Sequence, residues 1–138
     1  MKFGMIGGGM MGEALISRLL AQGIYSSTAV IVSDPVAARR DYLAATYGVQ
    51  TTQNNSEVAI ADILLLAIKP QVFAVVTQEL ATQLSTQSVP SLVVSILAGT
   101  PLAKLEAAFP GRAVIRAMPN TPATVGAGVT AIASGSLA

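Results

Sequence analysis

Neither cysteine nor histidine occurs in the 138 residues. Without cysteine there is no disulfide and no thiolate metal site, and the redox compartment is left undecided. Without histidine as well, a zinc site and a Ser-His-Asp hydrolase are excluded within this chain. Charge is scarce too, with 11% charged residues and a net charge of +1. No Lys/Arg-rich run occurs, and three Phe and three Tyr are the whole aromatic complement. That leaves no electrostatic footprint for nucleic acid. Long apolar runs are missing: residues 63–68 form one of the longest, far short of the ~18 that a membrane span requires. Near the start, glycines and Glu13 interrupt the apolar residues after Lys2 before a signal-peptide core forms. The expectation is a soluble cytoplasmic protein with no membrane partner. Its length suits one domain, residues 1–138. An apolar content of 52% is high for a free-standing monomer, so part of the apolar surface is expected to meet a partner.

What the chain does have is glycine, concentrated in Met5-Ile6-Gly7-Gly8-Gly9-Met10-Met11-Gly12. Gly7, Gly9 and Gly12 stand in the G-x-G-x-x-G spacing, which has a physical meaning only between a strand and a helix. There Gly7 makes the tight turn, Gly9 lets backbone N–H groups approach a pyrophosphate, and Gly12 lets the helix pack closely on the strand. The free amides and positive dipole end of the helix hold the anion. Residues 2–6 supply the apolar run before the turn. Met11, Leu15 and Leu19, with Ile16 and Leu20, follow helical spacing up to Gly23.

A second β-rich run, residues 29–32, is closed by Ser33-Asp34-Pro35. A helix from about Val36 to Tyr47 follows, with Pro35 suited to its first position. Asp34 falls at the tip of the second strand, 22 residues after Gly12, where a Rossmann unit meets the adenosine ribose. Gly48 ends that helix, residues 49–52 suit a short strand, and Asn54-Asn55-Ser56 caps a helical segment reaching about Ile60. Residues 63–68 are apolar on consecutive positions, as in a central parallel strand covered on both faces. From Gln71 to Leu84 the period is helical, with Val72, Val76 and Leu80 on one face. Strands at 92–97, 113–117 and about 129–133, with a helix at 102–109, complete the pattern. Alternating strands and helices indicate an α/β, Rossmann-like, doubly wound and mostly parallel sheet with helices on both faces.

Four separated stretches agree with one family: residues 5–16 (MIGGGMMGEALI), 66–71 (LAIKPQ), 95–99 (SILAG) and 116–128 (RAMPNTPATVGAG). In these the sequence resembles the N-terminal domain of pyrroline-5-carboxylate reductase, which makes proline. The glycine motif is shared by many dehydrogenases, whereas the Met-Pro-Asn-Thr-Pro segment is particular to this family. The resemblance implies NADP(H) or NAD(H) as cofactor and hydride transfer to the imine carbon of 1-pyrroline-5-carboxylate. It also implies a second, all-helical domain that forms an intertwined dimer and supplies much of the substrate pocket, so that the complete enzyme is a homo-oligomer. On this resemblance the sequence, whose last residue is Ala138, is expected to be the cofactor half.

On the same resemblance, Ile6, Gly7, Gly8, Gly9, Met10, Met11 and Gly12 cradle the pyrophosphate, and Ser33 and Asp34 lie at the adenosine ribose. A carboxylate there favours the 2′-hydroxyl of NAD, while the family mostly uses NADP and often places a small polar residue at this point. Arg39 and Arg40 would offset Asp34 by reaching a 2′-phosphate, or else form a solvated helix face. Asn55 matches a position that helps bind the adenosine side, though a helix cap also accounts for it. Ala67, Ile68, Lys69 and Pro70 resemble the contact with the nicotinamide ribose, and Ala98 gives close backbone access to the nicotinamide. Asn120 and Thr121, stiffened by Pro119 and Pro122, form the wall facing nicotinamide and substrate. No catalytic acid is assigned within the chain, since an imine nitrogen is readily protonated near neutral pH. Two other readings stay open: a nucleotide-binding module without catalysis, and a related imine reductase or β-hydroxyacid dehydrogenase.

Overall fold

The computed structural model describes residues 1–88, 90, 92–119 and 130–138. Its strands are β1 (Phe3–Ile6), β2 (Val30–Ser33), β3 (Gln50–Thr52), β4 (Ile63–Leu66), β5 (Leu92–Ser95), β6 (Ala113–Pro119) and β7 (Thr130–Ser134). They form one sheet in the order β3-β2-β1-β4-β5-β6-β7, with β6 and β7 paired antiparallel and every other pair parallel. The α-helices are α1 (Met10–Ala21), α2 (Ala37–Tyr47), α3 (Asn55–Val58), α4 (Phe73–Thr86) and α5 (Leu102–Ala108). This is the α/β, Rossmann-like, doubly wound arrangement, with an antiparallel edge strand added.

Strand alternation explains the two cores. Phe3 and Met5 of β1 join Val30, Val32 and Leu65 in a cluster with Ile16 of α1 and Leu43 of α2. Ile6 points the other way and packs with Leu64, Leu66 and Val93 against Phe73, Val76, Leu80 and Leu84 of α4 and Leu105 of α5. Because β4 lies between β1 and β5, apolar side chains serve both faces. That accounts for its unbroken Ile-Leu-Leu-Leu.

Strand β5 ends at Ser95, two residues short of the expected 97, and three further details depart from the sequence reading. Pro35 is not the first residue of α2, which begins at Ala37 behind an extended Val36. The Asp34 carboxylate accepts the Val36 N–H at 2.9 Å, and this local turn postpones the helix. Strand β4 stops at Leu66, and Pro70–Val72 form a 3-10 turn ahead of α4. That turn carries Val72 off the buried stripe, so Phe73 replaces it beside Val76 and Leu80, and Val72 is exposed. Finally, β6 continues past Ala117 to Pro119, where a proline at the end of a strand removes no interior ladder bond.

Candidate functional site

The glycine turn sits at the C-terminal end of β1, between the neighbouring strand ends. Gly7 N–H donates to the Ser33 carbonyl at 2.9 Å, and Ala67 N–H donates to the Ile6 carbonyl at 2.8 Å. Gly7 has φ +100°, and a Cβ there would stand 2.4 Å from the Ala67 carbonyl oxygen. At Gly12 a Cβ would stand 2.8 Å from Cε of buried Met5 and 3.0 Å from the Gly7 carbonyl oxygen, so the helix lies close against the strand and a side chain here would make Met5 shift. Gly9 differs: among the described residues a Cβ would meet nothing within 4 Å. It is the N-cap of α1 and offers no side-chain cap, and the first helical bond is Glu13 N–H to the Gly9 carbonyl at 2.9 Å. The amides opening this three-turn helix thus have no side-chain cap among the described residues, which is the physical requirement for holding an anion.

A carboxylate in the first turn of α1 would repel that anion if unbalanced. Glu13 is balanced: its Oε1 lies 2.7 Å from Arg39 Nη2 of α2, the two side chains being 20% and 27% exposed. Its Oε2 accepts the hydroxyls of Tyr42 and Tyr47 at 3.2 Å and 3.1 Å. Arg39 Nε donates to the Gly8 carbonyl, and its guanidinium lies over the Tyr42 ring, 5.0 Å from the centroid. The network clamps the glycine turn to α2. Burial, reinforced by the hydrogen bond to Glu13 and its negative charge, pushes the Tyr47 hydroxyl up to about 12 from an ordinary 10.0. Burial, with Asp62 nearby, also raises that of Tyr25.

A phenol that holds its proton more tightly when folded contributes stability that is complete below pH 10.0 and is lost as pH rises through about 12. The Tyr47→Phe variant is expected to remove part of the alkaline unfolding in that window. Its cost near neutrality is about 1 kcal/mol, for the lost hydrogen bond. Circular dichroism followed against pH for both proteins checks this, and superimposable alkaline limbs would contradict it.

Beside the turn, at the point where the chain crosses from β1 to both β2 and β4, lies a cleft of about 650 Å³. Such switch points are where open α/β sheets bind ligands. It brings together Ile6, Gly7, Ser33, Asn55 and Ile68 among the residues singled out in the sequence. Buried Ser33 donates its hydroxyl to Asn55 Oδ1 at 2.7 Å, and Asn55 Nδ2 donates to Glu79 Oε2 at 2.9 Å. The helix cap is Asn54, whose Oδ1 accepts the Ser56 N–H at 3.1 Å. Asn55 is thus free of capping duty and is fixed between two elements of the cleft wall.

Asp34 stands at the tip of β2 with both oxygens engaged, Oδ2 accepting the Gly8 N–H at 3.0 Å and Oδ1 the Val36 N–H. Arg40 Nη1 donates to the Asp34 carbonyl at 2.8 Å. Neither Arg39 nor Arg40 forms a solvated helix face. Ala67 follows β4, and Lys69 and Pro70 are exposed at the start of the 3-10 turn, the Lys69 ammonium having no ion-pair partner among the described residues. Ala98 is exposed in the turn after β5, ahead of Gly99 at φ +69°. Met10 is 78% exposed and borders a smaller hollow with Glu13, Ala14, Ser17 and Tyr47, away from the cleft. Asn120 and Thr121 lie outside the described residues.

The sequence reading missed Pro35, Gln53, Val72, Val75 and Glu79 in the cleft wall. Val75 carried a usable signal: an apolar residue, 57% exposed, off the buried stripe of its helix. Among the described residues no group of acidic side chains is arranged to hold a metal, and no helix is long and apolar enough to cross a membrane.

The four motif stretches resemble pyrroline-5-carboxylate reductase, and comparison with known proteins extends that likeness along nearly the whole chain. It is 50% identical over 134 residues to the pyrroline-5-carboxylate reductase of Synechocystis, covering 96% of this chain and 49% of that protein. A pyrroline-5-carboxylate reductase structure from Coxiella burnetii superposes with a TM-score of 0.91 at 32% identity, covering 99% of this chain and 50% of that one. The Plasmodium falciparum pyrroline carboxylate reductase, solved with NADP bound, superposes with a TM-score of 0.81 at 27% identity over 99% of this chain and 49% of that one. The chain spans about half the length of the curated relatives it matches. Residues 2–99 match the model of the family described as NADP oxidoreductase, coenzyme F420-dependent, and the chain belongs to that family.

Proposed function

We propose that this chain is the dinucleotide-binding half of a pyrroline-5-carboxylate reductase, residues 1–138 forming one domain that binds a nicotinamide dinucleotide. The observation that carries this reading is the open, uncapped N-terminus of α1 beneath Gly9, set at the switch point of the sheet. The likeness of sequence and fold to pyrroline-5-carboxylate reductases supports 1-pyrroline-5-carboxylate as the substrate. The dinucleotide, when bound, supplies the hydride that reduces the C=N bond of 1-pyrroline-5-carboxylate to proline.

The chain's own residues bind and orient. Gly9, Met10 and Met11 offer backbone amides to the pyrophosphate, with Ile6, Gly7, Gly12 and Gly8, whose own amide is held by Asp34, shaping the turn. Ser33, Asp34 and Asn55 meet the adenosine end, with Arg39 behind the loop. Ala67, Ile68, Lys69 and Pro70 meet the nicotinamide ribose, and the Lys69 ammonium adds a positive charge at that rim. Ala98 backs the nicotinamide, and Asn120 and Thr121 form the substrate wall. On this reading the complete enzyme is cytoplasmic, takes a small-molecule substrate rather than nucleic acid or membrane, and is a homo-oligomer.

A fluorescence titration of the chain with NADPH and with NADH, followed by addition of 1-pyrroline-5-carboxylate, tests this. Binding of either nucleotide is expected. Oxidation is expected on adding a helical half from a pyrroline-5-carboxylate reductase, or with this chain alone if its site is complete. Failure to bind either nucleotide overturns the reading, as does turnover of a hydroxy acid in place of the imine.

A further inference from the structure

Resting on the dinucleotide-binding reading above, we propose that Asp34 makes this chain a reader of the unphosphorylated adenosine ribose, so that it takes NAD(H) in preference to NADP(H). Three placements support this. First, the carboxylate is pinned, Oδ2 on the Gly8 N–H at 3.0 Å and Oδ1 on the Val36 N–H at 2.9 Å. It therefore cannot swing away from the tip of β2 without releasing two amides, one of them in the glycine turn itself. An ionised carboxylate has about four lone-pair sites, so two bonds leave it able to accept from ribose hydroxyls.

Second, Arg39, one of the two cations that would welcome a 2′-phosphate, is committed elsewhere. Its guanidinium is ion-paired to Glu13 at 2.7 Å, lies over Tyr42 and donates to the Gly8 carbonyl. Moving it to a phosphate would strip Glu13 of its counter-charge in the first turn of α1, next to the amides proposed for the pyrophosphate. Third, Arg40 donates to the Asp34 backbone carbonyl at 2.8 Å, not to its carboxylate. Its charge offsets part of the repulsion that a phosphate would meet, which sets the expectation at a preference rather than an absolute exclusion. A dianionic 2′-phosphate next to a fixed carboxylate is disfavoured, and a neutral 2′-hydroxyl is a donor to it. The resulting preference departs from the cofactor named in the family's description.

The test is nucleotide fluorescence titration of the full chain at low ionic strength, wild type beside Asp34→Asn, with Asp34→Ser as a second variant and a melting curve for each. Asparagine keeps a side-chain oxygen for an amide and removes the charge. Wild type is expected to bind NADH about ten-fold or more tighter than NADPH. Asp34→Asn is expected to bring the two within about three-fold, chiefly by strengthening NADPH. Equal or tighter binding of NADPH by the wild type overturns this inference while leaving the dinucleotide-binding reading in place; absence of binding by both nucleotides overturns both. A folded variant, Asn or Ser, that keeps the wild-type ratio shows that Asp34 is not the discriminating residue.

Discussion

Replacing Gly7 with alanine is expected to weaken nucleotide binding at least about 100-fold and to lower stability by roughly 3 kcal/mol. Two effects combine. At φ +100° an alanine is strained, and its Cβ would stand 2.4 Å from a backbone carbonyl, that of Ala67. A backbone neighbour cannot rotate away, so β1 and the start of the β4–α4 connection must separate. That movement breaks the alignment of Gly7 N–H on Ser33 and of Ala67 N–H on Ile6, and with it the position of the turn that leads into α1. The informative control is Gly9→Ala, at a site with backbone angles of φ −74° and ψ −174° and, among the described residues, nothing within 4 Å of the new methyl. It should fold as well as the wild type yet bind nucleotide more weakly, because the methyl occupies the approach of the pyrophosphate. Thermal melts and nucleotide titrations on both variants separate the two roles. Loss of stability without loss of binding at Gly7, or unchanged binding at Gly9, would contradict them.

The same glycines show how far the sequence could be read. Strand, turn and helix around residues 3–21 were legible because each local signal agreed with its neighbours, and the runs of the inner strands reflected burial on two faces. What escaped was set by long-range or side-chain events. Periodicity marks Glu13 as a first-turn acid but cannot reveal that Arg39, Tyr42 and Tyr47, at least 26 residues away in sequence, converge on it. Pro35 looked like a helix start until the Asp34 side chain claimed the Val36 N–H. Val72 fitted the apolar period of α4 but fell in a 3-10 turn, where the phase of the stripe changes. Asn55 looked like one of three cap candidates, and only the bond from Asn54 to the Ser56 N–H identifies the cap itself.

Arg112 was equally silent in the sequence, a lone cation after a Pro-Gly turn, yet its removal is expected to be among the most destabilising changes outside the site. It is 8% exposed at the start of β6. Its Nη2 donates to the Leu84 carbonyl at 2.7 Å and to that of Gln87, and Nη1 donates to the Pro110 carbonyl at 2.8 Å. One planar fork thus satisfies carbonyls at the C-terminus of α4, where the helix dipole favours positive charge, and ties that end to the turn before β6. In Arg112→Ala the buried Leu84 carbonyl and the part-buried carbonyls of Gln87 and Pro110 lose this donor, and about 2–4 kcal/mol of stability should go with it. The affected rim holds the N-terminal ends of the strands, opposite the cleft, so nucleotide affinity at a temperature where the variant is folded should change by less than about three-fold. Arg112→Lys keeps the charge but has no fork, and should recover less than half of the loss. Urea unfolding of the three proteins decides this. A loss below about 1 kcal/mol in Arg112→Ala would mean that water satisfies those carbonyls as well as the guanidinium does.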